Sequence, residues 1–102
     1  MCMRNFNHPQ PDNLDLSQVL HALGDPTRLS IVRKLAENGC LSCGDVCTET
    51  PRSTLTHHLR ILREAGIIHT TKLGQTHNNE LRADDLNARF PHLLSTILTE
   101  RA

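Results

Sequence analysis

The apolar positions of this chain repeat at helical spacing along most of its length. Leu16, Val19, Leu20 and Leu23 form one stripe on a helix predicted from Asp12 to Leu23, which Gly24 ends. Asp25-Pro26-Thr27 restarts the chain, with Asp25 as N-cap and Pro26 at the first helical position. The second helix runs to Glu37, with Leu29, Val32, Leu35 and Ala36 inward, and Asn38-Gly39 stops it. Ser42-Cys43-Gly44-Asp45 has the form of a capping box that opens a short helix over Asp45 to Glu49, and Pro51 marks a turn. In the next helix Leu55, Leu59 and Leu62 fall at i, i+4 and i+7; Ser53 is the predicted cap and Gly66 the left-handed residue past its end. Residues 67–72 and 77–82 read as two strands around Leu73-Gly74-Gln75. A last helix, Ala83 to Thr99, carries Leu86, Phe90, Leu93, Leu94, Ile97 and Leu98, and Pro91 predicts a kink or a late start.

The expected fold is therefore mainly α with a β-hairpin, in the order α-α-α-α-β-β-α. Two short helices joined by a tight turn and followed by a hairpin make a winged helix-turn-helix. Residues 1–11, with Asn, His, Gln and two prolines, read as a flexible arm, and residues 12–102 as one domain. Apolar helices stand at both ends of the chain, and a small three-helix core needs neither. They are expected to pack together and against a second copy, giving a homodimer.

The helix from Ser53 to Gly66 divides its faces sharply. Opposite the leucines stand Thr54, Thr56, His57, Arg60 and Arg63, groups suited to phosphates and base edges. Thr54, Thr56, His57 and Arg60 are the expected major-groove contacts; Arg52, Ser53, Arg63, Lys72 and Gln75 are expected to position phosphates. His58, one turn from Leu55 and Leu62, is expected at the core edge. A solvated polar face is the plain alternative for each exposed residue. Two such helices in a dimer would read half-sites of double-stranded DNA roughly 34 Å apart, hence a near-palindromic operator.

The formal net charge of zero qualifies this picture without removing it. Between Arg52 and Arg82 five cations face only Glu64 and Glu80, and four of the seven histidines lie in the same stretch. A neutral chain with one basic face implies moderate, salt-sensitive binding. Phe6 and Phe90 are the only aromatic residues, which argues against a platform for stacking single-stranded bases. No apolar run suggests a membrane span or signal peptide, so a cytoplasmic location with reduced thiols is expected.

Two motifs resemble the ArsR/SmtB family of transcriptional repressors. Leu23-Gly24-Asp25-Pro26-Thr27-Arg28-Leu29-Ser30-Ile31-Val32 is similar to its opening signature, and Ser53 to Ile68 to its recognition helix and first wing strand. The resemblance spans residues 14–98 in the same element order. It implies a homodimeric winged-helix repressor released from DNA by an inducer. Members respond to metals, metalloids, oxidants or other small molecules, so the resemblance alone names no inducer.

Cys40, Cys43 and Cys47 form the one thiol-rich constellation in the sequence. The family's metalloid motif, Cys-Val-Cys-Asp-Leu-Cys, aligned on Asp45, puts its thiols on Ser42, Gly44 and Cys47, so one position matches. A rearranged three-thiol site remains open. Asp84, Asp85, Asn87, His92 and Glu100 lack the spacing of the family's zinc site in the last helix, so neither a metal site nor a cofactor is assigned. A redox reading places Cys43 in the first turn of a short helix, where the dipole favours thiolate, with Cys40 in a turn as its partner. Small buried side chains are the plain reading, placed ahead of the redox one, with a metal site third.

An interaction module that has lost DNA binding is the rival function. Loss of duplex binding as salt rises would separate the two. Nothing in the sequence assembles a nucleophile with a base and an oxyanion site, so an enzyme is not expected.

Overall fold

Asp15, not Asp12, starts the first helix. Its carboxylate accepts the Gln18 backbone N–H at 3.0 Å, while Pro11–Asn13 form a 3-10 turn and Leu14 stays extended and buried. A computed structural model describes residues 8–42 and 50–99. After the turn come α1 (Leu16–Leu23), α2 (Pro26–Asn38), β1 (Cys40–Ser42), α3 (Arg52–Glu64), β2 (Ile68–Leu73), β3 (Thr76–Leu81), α4 (Ala83–Arg89) and α5 (Leu93–Thr99). The short helix expected over Asp45 to Glu49, with Cys43 and Cys47, lies outside the described residues.

The second helix begins and ends as its sequence predicts. Asp25 accepts the Arg28 backbone N–H at 3.0 Å, Pro26 occupies the first turn, and Gly39 closes the helix at φ 85°. Its buried face is Arg28, Ile31, Val32 and Leu35. Ala36, expected inward, is exposed; Ile31 takes the core position because Arg28, Ile31 or Val32, and Leu35 repeat at 3.6-residue spacing.

The left-handed turn at Gly39 leads into β1, a strand the sequence pattern did not announce. The sheet is antiparallel in the order β1-β3-β2, with Cys40 opposite Glu80 and His69 opposite the same Glu80. Cys40 therefore sits in a strand and not in the turn expected for it. The hairpin between β2 and β3 turns on Gly74 and Gln75, with Gly74 at φ 61°, the glycine-first pattern of a type II′ connection.

One apolar cluster joins Val19, Ala22 and Leu23 of α1, Ile31, Val32 and Leu35 of α2, the α3 leucines, Ile67, Ile68, Leu86 and Leu94. The terminal helices thus complete this core, contrary to the expectation that they are surplus to it. They still leave apolar surface outward: Leu16 and Leu20, expected within the inward stripe, are 44% and 47% exposed. Pro91 divides the predicted last helix completely. Phe90 leaves the helical region (φ −129°, ψ 79°), His92 takes φ 70°, and α4 and α5 have seven residues each. Among the described residues no helix is long and apolar enough to cross a membrane.

Candidate nucleic-acid interface

Helix α3 starts directly after Pro51, whose extended backbone (φ −55°, ψ 146°) leads into Arg52. Ser53, expected as its cap, lies inside the first turn, and Pro51, which holds the cap position, makes no side-chain cap bond. A proline whose φ already fits the helix entry takes the boundary two residues earlier. The far end behaves as predicted. Gly66 adopts φ 83°, its N–H bonds to Arg63 O, and Ile67 N–H bonds to Leu62 O. That pair of bonds is a Schellman closure, which satisfies carbonyls left open at the helix end.

Gly66 does more than turn the chain. A Cβ there would collide with the Leu14 side chain and press on Pro9 Cγ at 3.2 Å. The junction between α3 and β2 is thereby packed directly under the segment preceding α1.

Leu55, Leu59 and Leu62 bury one side of α3. On the other, Arg52, Ser53, Thr54, Thr56, His57 and Arg60 are all exposed. Arg63 is half-buried and near enough to His8 to disfavour a proton there. Lys72 and Gln75 are exposed on the hairpin, with His77 half-buried beside them. Arg82, counted in the basic stretch, contributes little to an exposed face: its side chain is 8% exposed and its Nε donates to Asp85 Oδ2 at 3.0 Å. The folded basic surface is consequently smaller than the sequence count.

His58 is at the core edge, as expected, and its partner is Arg28. The Arg28 guanidinium lies 3.1 Å from His58 Nδ1 and donates to Ala22 O at 2.7 Å and His21 O at 3.4 Å. The hydrogen bond from the Arg28 backbone N–H, helped by the Arg28 guanidinium and then a Thr27 N–H, holds the Asp25 carboxyl below the usual range against an opposing effect of burial. Sequence reasoning did not single out Arg28; the signal available was a cation in register with the inward stripe of α2.

Two further polar contacts tie the hairpin to the body. Thr70 Oγ1 donates to Asn79 Oδ1 at 2.9 Å, and Asn79 Nδ2 donates to Leu41 O at 3.4 Å, so a fully buried amide links the three strands. Thr70 N–H donates to His8 Nε2 at 3.0 Å, and the His8 ring stacks on His69 with centroids 4.1 Å apart. Burial, then the nearby cationic groups, lowers the His8 pKa to about 4, so this histidine is a neutral acceptor at pH 7.

Of the three thiols singled out, Cys40 is a free, exposed thiol; Cys43 and Cys47 fall outside the described residues. Among the described residues no group of His, Cys, Asp and Glu is arranged to hold a metal ion.

The comparisons agree with this architecture. Residues 23–71 match the helix-turn-helix domain family HTH_20. An HTH-type transcriptional regulator of Bacillus subtilis, YceK, is 36% identical over 91 residues, covering 86% of this chain and 91% of that protein. The arsenical resistance operon repressor of Staphylococcus xylosus is 31% identical over 80 residues, 72% of this chain and 71% of the repressor. The chain belongs to the ArsR/SmtB family. Its fold is also that of the transcriptional repressor BigR from Xylella fastidiosa, with a TM-score of 0.63 and 29% identity over 84% of this chain and 88% of that one. As an ArsR-family transcriptional regulator it carries the family's winged helix-turn-helix, and its relatives are regulators and not enzymes.

Proposed function

We propose that this ArsR-family regulator is a cytoplasmic repressor that binds a near-palindromic duplex operator as a homodimer. The observation that carries the proposal is the outward face of α3: Thr54, Thr56, His57 and Arg60 are exposed directly opposite a buried leucine stripe. Hydroxyls, an imidazole and a guanidinium on a helix of this size can enter a major groove and reach base edges. Arg52, Ser53 and Arg63 at the helix ends, with Lys72 and Gln75 on the hairpin, lie where phosphate contact would fix its register. Leu16 and Leu20 on α1 support the homodimer, because large apolar side chains left this exposed gain from burial against a second copy.

Release from DNA is assigned to the thiols. Cys40 is accessible at the start of β1, next to the segment carrying Cys43 and Cys47. A disulfide formed there, with two electrons and two protons passing to a peroxide, would pull on the strand that precedes the helix-turn-helix. The name of the Staphylococcus xylosus relative, an arsenical resistance repressor, favours one alternative: a metalloid held by the same thiols.

The test is a salt titration of binding to the DNA upstream of the protein's own gene, with chelator present, comparing reduced and mildly oxidised protein. Salt-sensitive binding by reduced protein, lost on oxidation and restored by a thiol reductant, supports both parts. Binding indifferent to oxidation removes the redox switch, and metalloid addition then tests the alternative. Failure of reduced protein to bind this or any duplex overturns the operator reading.

A further inference from the structure

Strand β2 is an edge of the sheet, and the segment before α1 covers part of that edge. The outward Thr70 N–H finds its acceptor in His8 Nε2 at 3.0 Å, and the His8 ring lies on His69 within 15° of parallel. Pro9 packs beside Gly66. At the other end Leu14 is buried in the core, and its carbonyl accepts from Arg89 Nε at 3.2 Å. Residues 10–13, between these two attachments, are exposed. The segment is thus fixed firmly at Leu14 and fastened at its far end by one imidazole and one proline. A stretch with so few buried contacts opens locally at less cost than the domain unfolds.

The imidazole is the part of this fastening that protons can undo. A protonated ring carries a donor at both nitrogens and cannot accept the Thr70 N–H. Around His8 and the cavity beside it stand His69 on β2, Glu80 on β3, Arg82, Asp84 and Asp85 at the start of α4, and Arg63 near the end of α3. Asp85 is already engaged by Arg82 Nε at 3.0 Å. Burial first, and then His69, Arg82 and Arg63, outweigh the carboxylates and hold the docked ring at a pKa of about 4. Lifted into water, the ring returns to its ordinary 6.5. Protons therefore bind the lifted form more tightly than the docked one.

We infer that residues 8–13 form a strap, hinged at Leu14, that protons open to free the outer edge of β2 while the rest of the domain stays folded. Opening removes the acceptor from Thr70 and bares a strand edge at the base of the wing. Its effect on operator binding rests on the repressor reading; the opening itself does not.

The experiment is amide hydrogen exchange of the full chain without DNA, followed by nuclear magnetic resonance at pH 7 and pH 5, with each rate divided by the intrinsic rate at that pH. The Thr70 amide should be less protected than those of Leu59 and Leu62 at both values, because it exchanges through the open strap. Its protection should fall about twentyfold from pH 7 to pH 5, the ratio set by a pKa of 4 docked and 6.5 lifted. In His8→Gln the amide oxygen can accept the same N–H without titrating. With circular dichroism unchanged, Thr70 protection in this variant should lose that pH dependence, whatever its level. Thr70 exchanging no faster than Leu59 and Leu62 would overturn the proposal, since opening would then require unfolding of the whole domain. A twentyfold fall that persists in His8→Gln would overturn it as well. DNA is absent, so failure of the operator reading leaves these outcomes untouched.

Discussion

Arg28 Nη1 and His58 Nδ1 meet at 3.1 Å, joining the first turn of α2 to the middle of α3. A guanidinium only donates, so Nδ1 accepts and the neutral ring carries its hydrogen on Nε2, which faces the Asp25 carboxylate at 4.0 Å. The same guanidinium donates to the carbonyls of His21 and Ala22 at the end of α1. One buried cation therefore holds three helices, including the one proposed to enter the groove. Arg28→Met should lower unfolding free energy by about 2–4 kcal/mol, because it strands carbonyls and an imidazole together. His58→Leu should cost less, about 1–2 kcal/mol, and the double variant less than the sum. Urea unfolding of the four proteins checks both; additive losses would mean that the pair does not act as a unit.

Gly66→Ala faces two penalties, a positive φ and the Leu14 side chain. A loss of about 2 kcal/mol or more is expected. In a Leu14→Ala background the main collision disappears and the Pro9 contact remains, so the same substitution should cost less, about 1 kcal/mol, chiefly the backbone part. Equal costs in the two backgrounds would show that Leu14 is not the obstacle.

His8 makes stability depend on pH. Its pKa is about 4 when folded, against 6.5 for the free side chain. Between these values the unfolded chain holds the extra proton, so stability rises with pH across this window and the histidine's contribution is lost as pH falls from 6.5 towards 4. A nuclear magnetic resonance titration should place the His8 midpoint near the lower end. His8→Ala should flatten this part of the stability profile; an unchanged slope would assign it to another group.

Leu16 and Leu20 supply the proposed dimer surface. Leu16→Glu with Leu20→Glu should give a folded protein that sediments as a monomer at concentrations where the wild type is dimeric. Their exposure within one chain means that stability of the monomer should change by no more than about 0.5 kcal/mol. A dimer that survives both substitutions must use another surface.

Arg60→Ala separates two kinds of DNA contact. If Arg60 reads a guanine edge, the operator should be bound about 1–3 kcal/mol more weakly while random duplex is little affected. An equal loss on both duplexes, with a salt slope reduced by about one, would assign Arg60 to phosphate.

Much of the architecture was legible because its signals are local. Asp25, Pro26 and Gly39 bound α2, Gly66 closes α3, and Gly74 turns the hairpin, each through backbone preferences that act within a few residues. The division of α3 into leucine and polar faces needs only helical periodicity. The charge reading was less secure: Arg82 counts as a cation in the sequence, yet folding buries it against Asp85. Strand β1 was missed because three residues carry too little alternation to stand out, and their pairing depends on a strand some forty residues away.

The sequence by itself determined where α2, α3 and the hairpin lie, and which residues of α3 face away from its leucines. Tertiary structure decided what those local choices could not reach. It placed Arg28 under His58, set His8 against Thr70, and gave Asn79 partners on both neighbouring strands. It also turned Leu16 and Leu20 out of a stripe that periodicity assigned inward. The physical reason is common to all four. A buried polar group needs a partner, and an apolar side chain needs a neighbouring surface. Both are supplied by segments remote in sequence, which only the packed chain brings together.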